Sequence, residues 1–219
     1  MTPDLVIFDL DGTLIDSMGT QATAFATAVE ISKATSTTYA EAERVYHATA
    51  GAPLRQQFSE AISTSDLSTL DALETDFWKH VEGSTFAAFA DADDCVAQLV
   101  ASRVPLGISS GSSCASVEKK LHDSGLARSI PIALGSDDPN IGEKGAAHVQ
   151  RILRHHFDGR SLNDVRIAFV GDTTHDVTLA LTLGLDAYGI QRDEQLLKER
   201  VPGSHLLSDL RDLPPMLGV

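Results

Sequence analysis

The chain has 219 residues, of which 42% are hydrophobic, and its 31 acidic and 17 basic residues give a formal net charge of −14 at pH 7. This length suits one large domain or a domain with a sizeable insertion, and the apolar fraction is typical of a globular protein. The acidic balance argues against a nucleic acid or an anionic membrane as partner.

The chain shows no sign of a targeting or membrane segment. It does not open with a basic stretch followed by an apolar one, and it contains no apolar run of about 18 residues. Cys95 and Cys114 fall in different predicted helices without metal-ligand spacing, which favours two buried thiols in a reducing compartment. We therefore expect a cytoplasmic protein without a membrane partner.

Short apolar segments, with helical patterns between the later ones, predict a parallel sheet built from βαβ units. The predicted strands are Leu5–Phe8, Val104–Ser109, Ile130–Leu134, Val165–Val170 and Ala187–Ile190. Apolar spacing predicts helices after Ser112, from about Lys144 and after His175. The predicted fold class is α/β, a Rossmann-like parallel-sheet core.

The region between the first two strands differs from the rest, because it contains no convincing strand and several amphipathic helical patterns. Thr38 and Glu41 are spaced as a capping box, and the helix they introduce is expected to stop at Gly51. A second helical stripe stops at Gly83 and consists of Leu67, Leu70, Leu73, Phe77 and Val81. So long a helical region exceeds a simple crossover. We predict an inserted helical cap domain at 16–89 and a core domain at 1–15 and 90–219.

Two carboxylates, Asp9 and Asp11, follow the first predicted strand in the stretch VIFDLDGTLID. Carboxylates a few ångström apart repel by about 4 kcal/mol at an effective dielectric of 20. Three other polar stretches follow a strand or open a helix, at residues 110–112, Lys144 and 171–176. Because ligands gather outside the carboxyl ends of parallel strands, we expect all four stretches to face one crevice.

The chemistry of these side chains suits phosphoryl transfer. A hard cation such as Mg²⁺ removes the repulsion between carboxylates and binds a substrate phosphate. Hydroxyls, backbone N–H groups and a lysine donate to phosphate oxygens, while one carboxylate can act as nucleophile and another as acid/base. Taken singly, each aspartate is also consistent with a turn or helix cap, and the serines with a flexible loop. Their combination and order favour catalysis.

This combination resembles the four motifs of the haloacid dehalogenase-like hydrolases, in the branch of phosphoglycolate phosphatases and β-phosphoglucomutases. The matching stretches are FDLDGTLIDS at 8–17, a strand ending in Ser-Ser-Gly, Lys144, and VGDTTHD at 170–176. The resemblance covers the whole chain, because the helical insert is similar to the cap of that family. Lys144 is followed by Gly145, where the family usually has proline.

The resemblance implies a catalytic or metal-binding role for four aspartates. Asp9 would attack phosphorus to form an aspartyl-phosphate. Asp11 would protonate the leaving alkoxide and then activate water. Mg²⁺ would be held by the Asp9 carboxylate, the Asp11 backbone carbonyl and Asp172, with Asp176 in support.

The resemblance also implies a phosphate-binding set. Ser110 and the Gly111 amide would bind the phosphate, although Ser109 can take the role of Ser110. Lys144 would neutralise the phosphoryl group, and Thr13 would lie in the turn into a movable flap.

Substrate choice is expected to depend on the cap domain. The stretch AGAPLRQQF resembles the loop that faces the active site in capped members of the family. Arg55 in that stretch would hold a distal anionic or hydroxyl group, or be a solvated arginine at a helix start. The resemblance also implies phosphate esters instead of halides or phosphonates as substrates, because dehalogenases of the family have tyrosine and phosphonate-cleaving members have alanine at the position of Asp11.

The sequence therefore predicts a Mg²⁺-dependent phosphatase of small phosphorylated metabolites, such as sugar phosphates or phosphoglycolate-like monoesters. A phosphosugar mutase of the same family and a noncatalytic ligand-binding protein remain as alternatives. Neither the individual ester nor the oligomeric state follows from the sequence.

Overall fold

The structure is a computed structural model, and it describes residues 2–33, 35–50, 52–192, 197 and 200–219. The chain divides into two compact units. One comprises Met1–Asp16 and Phe86–Val219, and the other comprises Ser17–Thr85. The first is called the core unit below and the second the helical unit.

The core unit is built on a six-stranded sheet with the order β3-β2-β1-β4-β5-β6, in which all neighbouring strands are parallel. The strands are β1 (Leu5–Phe8), β2 (Leu106–Ser109), β3 (Ala133–Leu134), β4 (Ile167–Gly171), β5 (Asp186–Ile190) and β6 (His205–Leu207). The predicted α/β fold class is confirmed.

Strands β2, β3 and β4 begin later than predicted, and for β2 and β3 the reason is that backbone groups before them bond elsewhere or are missing. Val104 donates its N–H to the carbonyl of Leu99 at the end of a helix, so β2 begins only at Leu106. Ile130 donates to Leu126, and Pro131 has no N–H to offer to a ladder. Strand β6 was not predicted, since three residues are too few to show an alternating pattern.

The helical unit contains α1 (Met18–Ser32), α2 (Tyr39–Ala48), α3 (Leu54–Ile62) and α4 (Leu67–Glu82). The predicted capping box forms at the start of α2, where Thr38 accepts from the Glu41 N–H and Glu41 accepts from the Thr38 N–H. Helix α2 ends at Ala48, and the predicted stop at Gly51 lies outside the described residues. Stacked rings of Phe25 and Phe58, with centroids 4.2 Å apart, lie in the interior of this unit.

The helices of the core unit are α5 (Ala90–Ala101), α6 (Cys114–Ser124), α7 (Ala146–His156), α8 (Thr174–Thr182) and α9 (Leu213–Leu217). Short 3-10 helices lie at Leu126–Arg128, Leu162–Asp164 and Leu210–Asp212. Helix α7 begins two residues after the predicted start at Lys144, because Gly145 occupies its N-cap. Cys95 is buried as expected, whereas Cys114 is exposed, so the prediction of two buried thiols was wrong.

Every second side chain of the central strands points to the same face of the sheet, and on one face these side chains form an apolar core with two helices. Leu5 and Ile7 of β1 pack in one apolar cluster with Phe169 of β4 and with Val149 of α7 and Val177 of α8. These side chains are almost completely removed from water, which gives the strand its fixed register. In the described part of the chain, no helix is both long and apolar enough to cross a membrane.

The strand register brings the polar motifs to one edge of the sheet. Phe8, the last residue of β1, lies opposite Ile108 of β2 and Val170 of β4. The residues that follow on all three strands therefore emerge side by side at the carboxyl ends. The chain runs outwards from β1 through β2 to β3 and then crosses to β4 on the other side of β1, so the strand order switches between β1 and β4, which is where α/β sheets bind ligands.

Candidate active site

Three buried carboxylates converge where β1 and β4 end. Asp9 follows β1, Asp172 follows β4 and Asp176 lies in the first turn of α8. One carboxylate oxygen from each lies within 4.8 Å of the others, and all three residues are buried. A capping box fixes Asp176, because one of its oxygens accepts from Thr173 while Thr173 accepts from the Asp176 N–H.

Lys144 supplies positive charge to this cluster. Its Nζ lies 2.5 Å from Asp9 Oδ1 and 2.5 Å from Asp176 Oδ1. Both contacts are ion pairs between buried groups, so one ammonium serves two carboxylates. The segment before α7 is fixed by Ser136, which accepts from the Lys144 N–H and donates to the Ser110 carbonyl.

Burial and mutual repulsion change the proton affinities in the cluster. Burial, together with the charges of Asp176 and Asp11, raises the pKa of Asp9 to about 7, although Lys144 acts in the opposite direction. Burial and the two neighbouring carboxylates raise the pKa of Asp172 well above its usual range. Burial alone would favour neutral Lys144, but Asp176 and Asp9 raise the pKa of its ammonium above the ordinary value.

The cluster has the donor set of a divalent-cation site. Three carboxylates against one ammonium leave two negative charges, which an ion such as Mg²⁺ would balance. The raised pKa of Asp172 indicates a carboxylate whose charge Lys144 does not fully balance, since burial, Asp9 and Asp176 together outweigh it. The residues present therefore fit a hard divalent cation.

Gly12 and Thr13, in the turn after β1, lie close to this cluster. The Thr13 hydroxyl lies 3.3 Å from Asp9 Oδ2 and 3.2 Å from Asp172 Oδ1. Gly12 has a φ of 76°, and a Cβ built there would lie 2.3 Å from Asp172 Oδ2. A side chain at this position would therefore be strained and would displace a carboxylate of the cluster.

The two serines at the end of β2 have different hydrogen bonds. His148 is buried, and its Nε2 lies 3.0 Å from the Gly142 carbonyl, so this nitrogen is the donor. The other ring nitrogen then accepts from the Ser109 hydroxyl at 3.1 Å. Burial, partly offset by the Gly142 bond, lowers the pKa of His148, which agrees with a neutral ring. Ser110 Oγ instead accepts from the Ser112 N–H at 3.0 Å.

Asp11 lies apart from the carboxylate cluster and has its own partners. Its Oδ1 is 2.5 Å from Lys120 Nζ, and its Oδ2 accepts from the Ser112 hydroxyl at 2.7 Å. Lys120 is not among the site residues predicted from the sequence. One signal was available, because Lys120 lies on the face of α6 that buries Val117 and Leu121, where a lysine is out of place.

Arg192 is a second residue near the site that is not among those predicted from the sequence. Its guanidinium forms two bonds to Asp91 at 2.7 and 2.8 Å and donates to the Thr13 carbonyl at 3.1 Å. It also lies over the ring of Phe89, 4.0 Å from the centroid. Arg192 therefore links the turn at Thr13 to the start of α5.

Arg55 lies in the first turn of α3 in the helical unit. It forms ion pairs with Asp71 and Glu74 of α4, at 2.5 and 2.6 Å. Its side chain is 44% exposed. The role in substrate recognition that the resemblance implies for Arg55 stays a prediction.

Comparison with known proteins gives a family and a fold. A family model described as haloacid dehalogenase-like hydrolase matches residues 6–190. A search of curated proteins finds no match. Solved structures with the same fold include a predicted phosphoglycolate phosphatase from Haemophilus somnus, which has 17% identity and a TM-score of 0.82 over 99% of this chain and 98% of that one.

Two further structures are similar over nearly their whole length. A haloacid dehalogenase-like family hydrolase from Streptococcus pneumoniae has 19% identity and a TM-score of 0.77, and covers 98% of both chains. CbbY from Rhodobacter sphaeroides, in complex with phosphate, has 16% identity and a TM-score of 0.75 over 96% of both chains. A mutant of CbbY was solved with xylulose-(1,5)-bisphosphate.

Proposed function

The chain belongs to the haloacid dehalogenase-like hydrolases, and on this basis we propose that it is a phosphatase acting on small phosphorylated metabolites through an aspartyl-phosphate. The proposal depends on the separation of two neighbouring carboxylates. Asp9 lies in the buried cluster beside Lys144, whereas Asp11 bonds to Lys120 and Ser112. Two carboxylates in different surroundings can serve as nucleophile and as acid/base.

The reaction would proceed in two displacements at phosphorus. A carboxylate oxygen of Asp9 attacks the phosphorus, the ester P–O bond breaks, and the leaving alkoxide takes a proton from the Asp11 carboxyl group. In the second step Asp11 takes a proton from water. The water oxygen attacks phosphorus, the bond to Asp9 breaks, and inorganic phosphate is released. The Lys144 ammonium would offset the negative charge beside Asp9 in both steps.

Phosphate binding is assigned to the loop after β2. The Ser109 hydroxyl is directed to His148, so its hydrogen is occupied. Ser110 uses its oxygen as an acceptor for the Ser112 N–H, which leaves its hydroxyl hydrogen for a ligand. This difference favours Ser110 over Ser109, together with the backbone N–H of Gly111. Nothing lies within 4 Å of a Cβ built at Gly111, so a phosphate can approach that backbone closely.

Mg²⁺ is the cation that we propose for the carboxylate cluster. Asp9, Asp172 and the Asp11 backbone carbonyl would hold it, and Asp176 would support them from the capping box of α8. When bound, the ion would offset the charge of the cluster and of the substrate phosphate.

The substrate class that we propose is a small phosphomonoester. The names of the similar structures support this choice, since one is a predicted phosphoglycolate phosphatase and CbbY was solved with phosphate and with a sugar bisphosphate.

Both cysteines of the described chain are free, which is consistent with a reducing compartment such as the cytoplasm.

A phosphate-release assay over a metabolite panel tests this function. The panel contains p-nitrophenyl phosphate, phosphoglycolate and several sugar phosphates and bisphosphates, each with Mg²⁺. We expect release from at least one ester and a loss of about a thousandfold or more in Asp9→Asn, because an amide is a poor nucleophile. Asp4→Asn is the matched control, since Asp4 precedes β1 at the opposite end of the strand.

Three outcomes would contradict the proposed phosphatase. Activity that survives Asp9→Asn would exclude the aspartyl-phosphate route. Isomerisation of a sugar phosphate without phosphate release would indicate a mutase. Binding of esters without turnover would indicate a noncatalytic protein.

A further inference from the structure

Asp11 is held at both carboxylate oxygens by a closed set of three bonds. Lys120 Nζ donates to Asp11 Oδ1 at 2.5 Å and to Ser112 Oγ at 3.0 Å. The Ser112 hydroxyl in turn donates to Asp11 Oδ2 at 2.7 Å. Because each oxygen has its own donor, rotation of the carboxylate breaks at least one bond.

Lys120 is itself rigidly placed. Its side chain is 1% exposed, and the ammonium lies 5.4 Å from the ring centroid of Phe86. A buried ammonium costs several kcal/mol unless a carboxylate compensates for it, so this burial requires the pair with Asp11. The start of α6 is also fixed, since Ser113 caps it and Asp137 accepts from the Cys114 N–H at 2.6 Å.

We propose that Lys120, with Ser112, is a positioning residue that holds the Asp11 carboxyl group in the orientation required for proton transfer to the leaving group. The proposal rests on the phosphatase function above, and Lys120 acts through Asp11 without touching the substrate. A rigid second residue is needed, because a proton transfer is efficient only within hydrogen-bond reach of the reacting oxygen.

The chain offers a matched control one residue away. Lys119 lies on the same helix and near the same Phe86 ring, at 5.7 Å, but its ammonium pairs with Asp123 at 2.6 Å. Lys119→Met therefore removes the same charge from α6 without affecting Asp11.

The test compares two esters that differ in their need for a proton. An alkyl ester needs a general acid to protonate its leaving oxygen, because an alkoxide is a poor leaving group. p-Nitrophenolate is a stable anion and leaves without protonation. The value of kcat/KM is measured for p-nitrophenyl phosphate and for the best alkyl phosphate of the panel. The value of kcat/KM reports only the steps up to formation of the aspartyl-phosphate, so slow hydrolysis of that intermediate does not affect it.

We expect Lys120→Met to lower kcat/KM for the alkyl phosphate at least about tenfold more than for p-nitrophenyl phosphate. Lys120→Arg should restore part of that loss, and Ser112→Ala should shift the ratio in the same direction by a smaller factor. Lys119→Met should leave both values at the wild-type level. If Lys120→Met does not fold, the ratio of the two kcat/KM values in Ser112→Ala tests the proposal instead.

The results separate this role from the function on which it rests. Equal losses for the two esters, unchanged values or a faster reaction in Lys120→Met would overturn the positioning role while the phosphatase stands. A wild-type protein that releases phosphate from neither ester would contradict the phosphatase itself, and the role of Lys120 with it.

Discussion

Asp9 shows how burial and charge determine the chemistry of one residue. Its carboxylate is removed from water and lies near two other acids, and both effects favour the protonated form. Lys144 acts against them but does not restore the ordinary pKa of 3.8. A nucleophile must be ionised, so the proposed reaction needs further positive charge at this position.

Because of Asp9, the free energy of unfolding of the metal-free protein should decrease as the pH rises. Its pKa is raised from 3.8 to about 7 on folding, so its contribution is complete below about pH 4 and is lost as the pH rises through about 7. Asp9→Asn lacks this loss. In the presence of a chelator, we expect Tm of the variant minus Tm of the wild type to increase from pH 4 to pH 8, as measured by calorimetry.

Asp16→Asn is the control for this pH series, because Asp16 is exposed and lies outside the carboxylate cluster. Its Tm difference from the wild type should stay constant over the same range. A constant difference for Asp9→Asn as well would show that folding does not raise the pKa of Asp9.

At the scale of single elements, the cap of a helix is easier to recognise in a sequence than the face that the helix buries. The capping box of α2 was predicted because Thr38 and Glu41 bond within one helical turn. Helix α3 shows the other case: the family resemblance predicts a loop facing the active site at this stretch, with an arginine at a helix start as the alternative, and the structure has a helix of 9 residues that begins at Leu54. Its apolar face, with Phe58 and Ile62, is recognisable only when the rest of the helical unit packs on it.

The capping box gives a prediction for α2. Thr38→Ala should reduce the free energy of unfolding by about 1 kcal/mol, because the Glu41 N–H loses its acceptor. Urea denaturation followed by circular dichroism measures the change. Thr75→Ala in α4 is the control, since that hydroxyl bonds to the Asp71 carbonyl inside the helix, where its removal costs little. Equal destabilisation by both would contradict a role for the cap.

For the whole molecule, the sheet topology decides where charge accumulates. Strand β1 lies between β2 and β4, so Asp9 and Asp172 meet although they are far apart in the chain. Lys144 joins them from the segment before α7. The cluster is a property of the fold as a unit, and a bound cation should stabilise that unit.

Mg²⁺ should therefore raise the thermal stability of the protein. At about 100 times its Kd, the ion contributes about 2.7 kcal/mol, which corresponds to about 5–10 °C in Tm for a chain of this size. Asp172→Asn should lose most of this shift, because it removes one carboxylate of the cluster. Differential scanning fluorimetry with and without MgCl₂ measures it.

Asp186→Asn provides the comparison for the magnesium experiment. Asp186 begins β5, at the opposite end of the sheet, and pairs with Arg166 at 2.6 Å. Its variant should keep the full shift. A shift of wild-type size in Asp172→Asn would mean that the ion binds somewhere other than the carboxylate cluster.

The sequence by itself determined the fold class and the family, because apolar strands and the motif around Asp9 are local patterns. The roles of Asp9, Asp11 and Asp172 in the reaction stay predictions with these experiments attached. Only the tertiary structure shows that Ser109 and Ser110 have different hydrogen bonds, since the partner of Ser109 is His148 from a distant helix. Lys120 likewise became visible only when α6 brought it to Asp11, because an ion pair between remote residues leaves no periodic trace in a sequence.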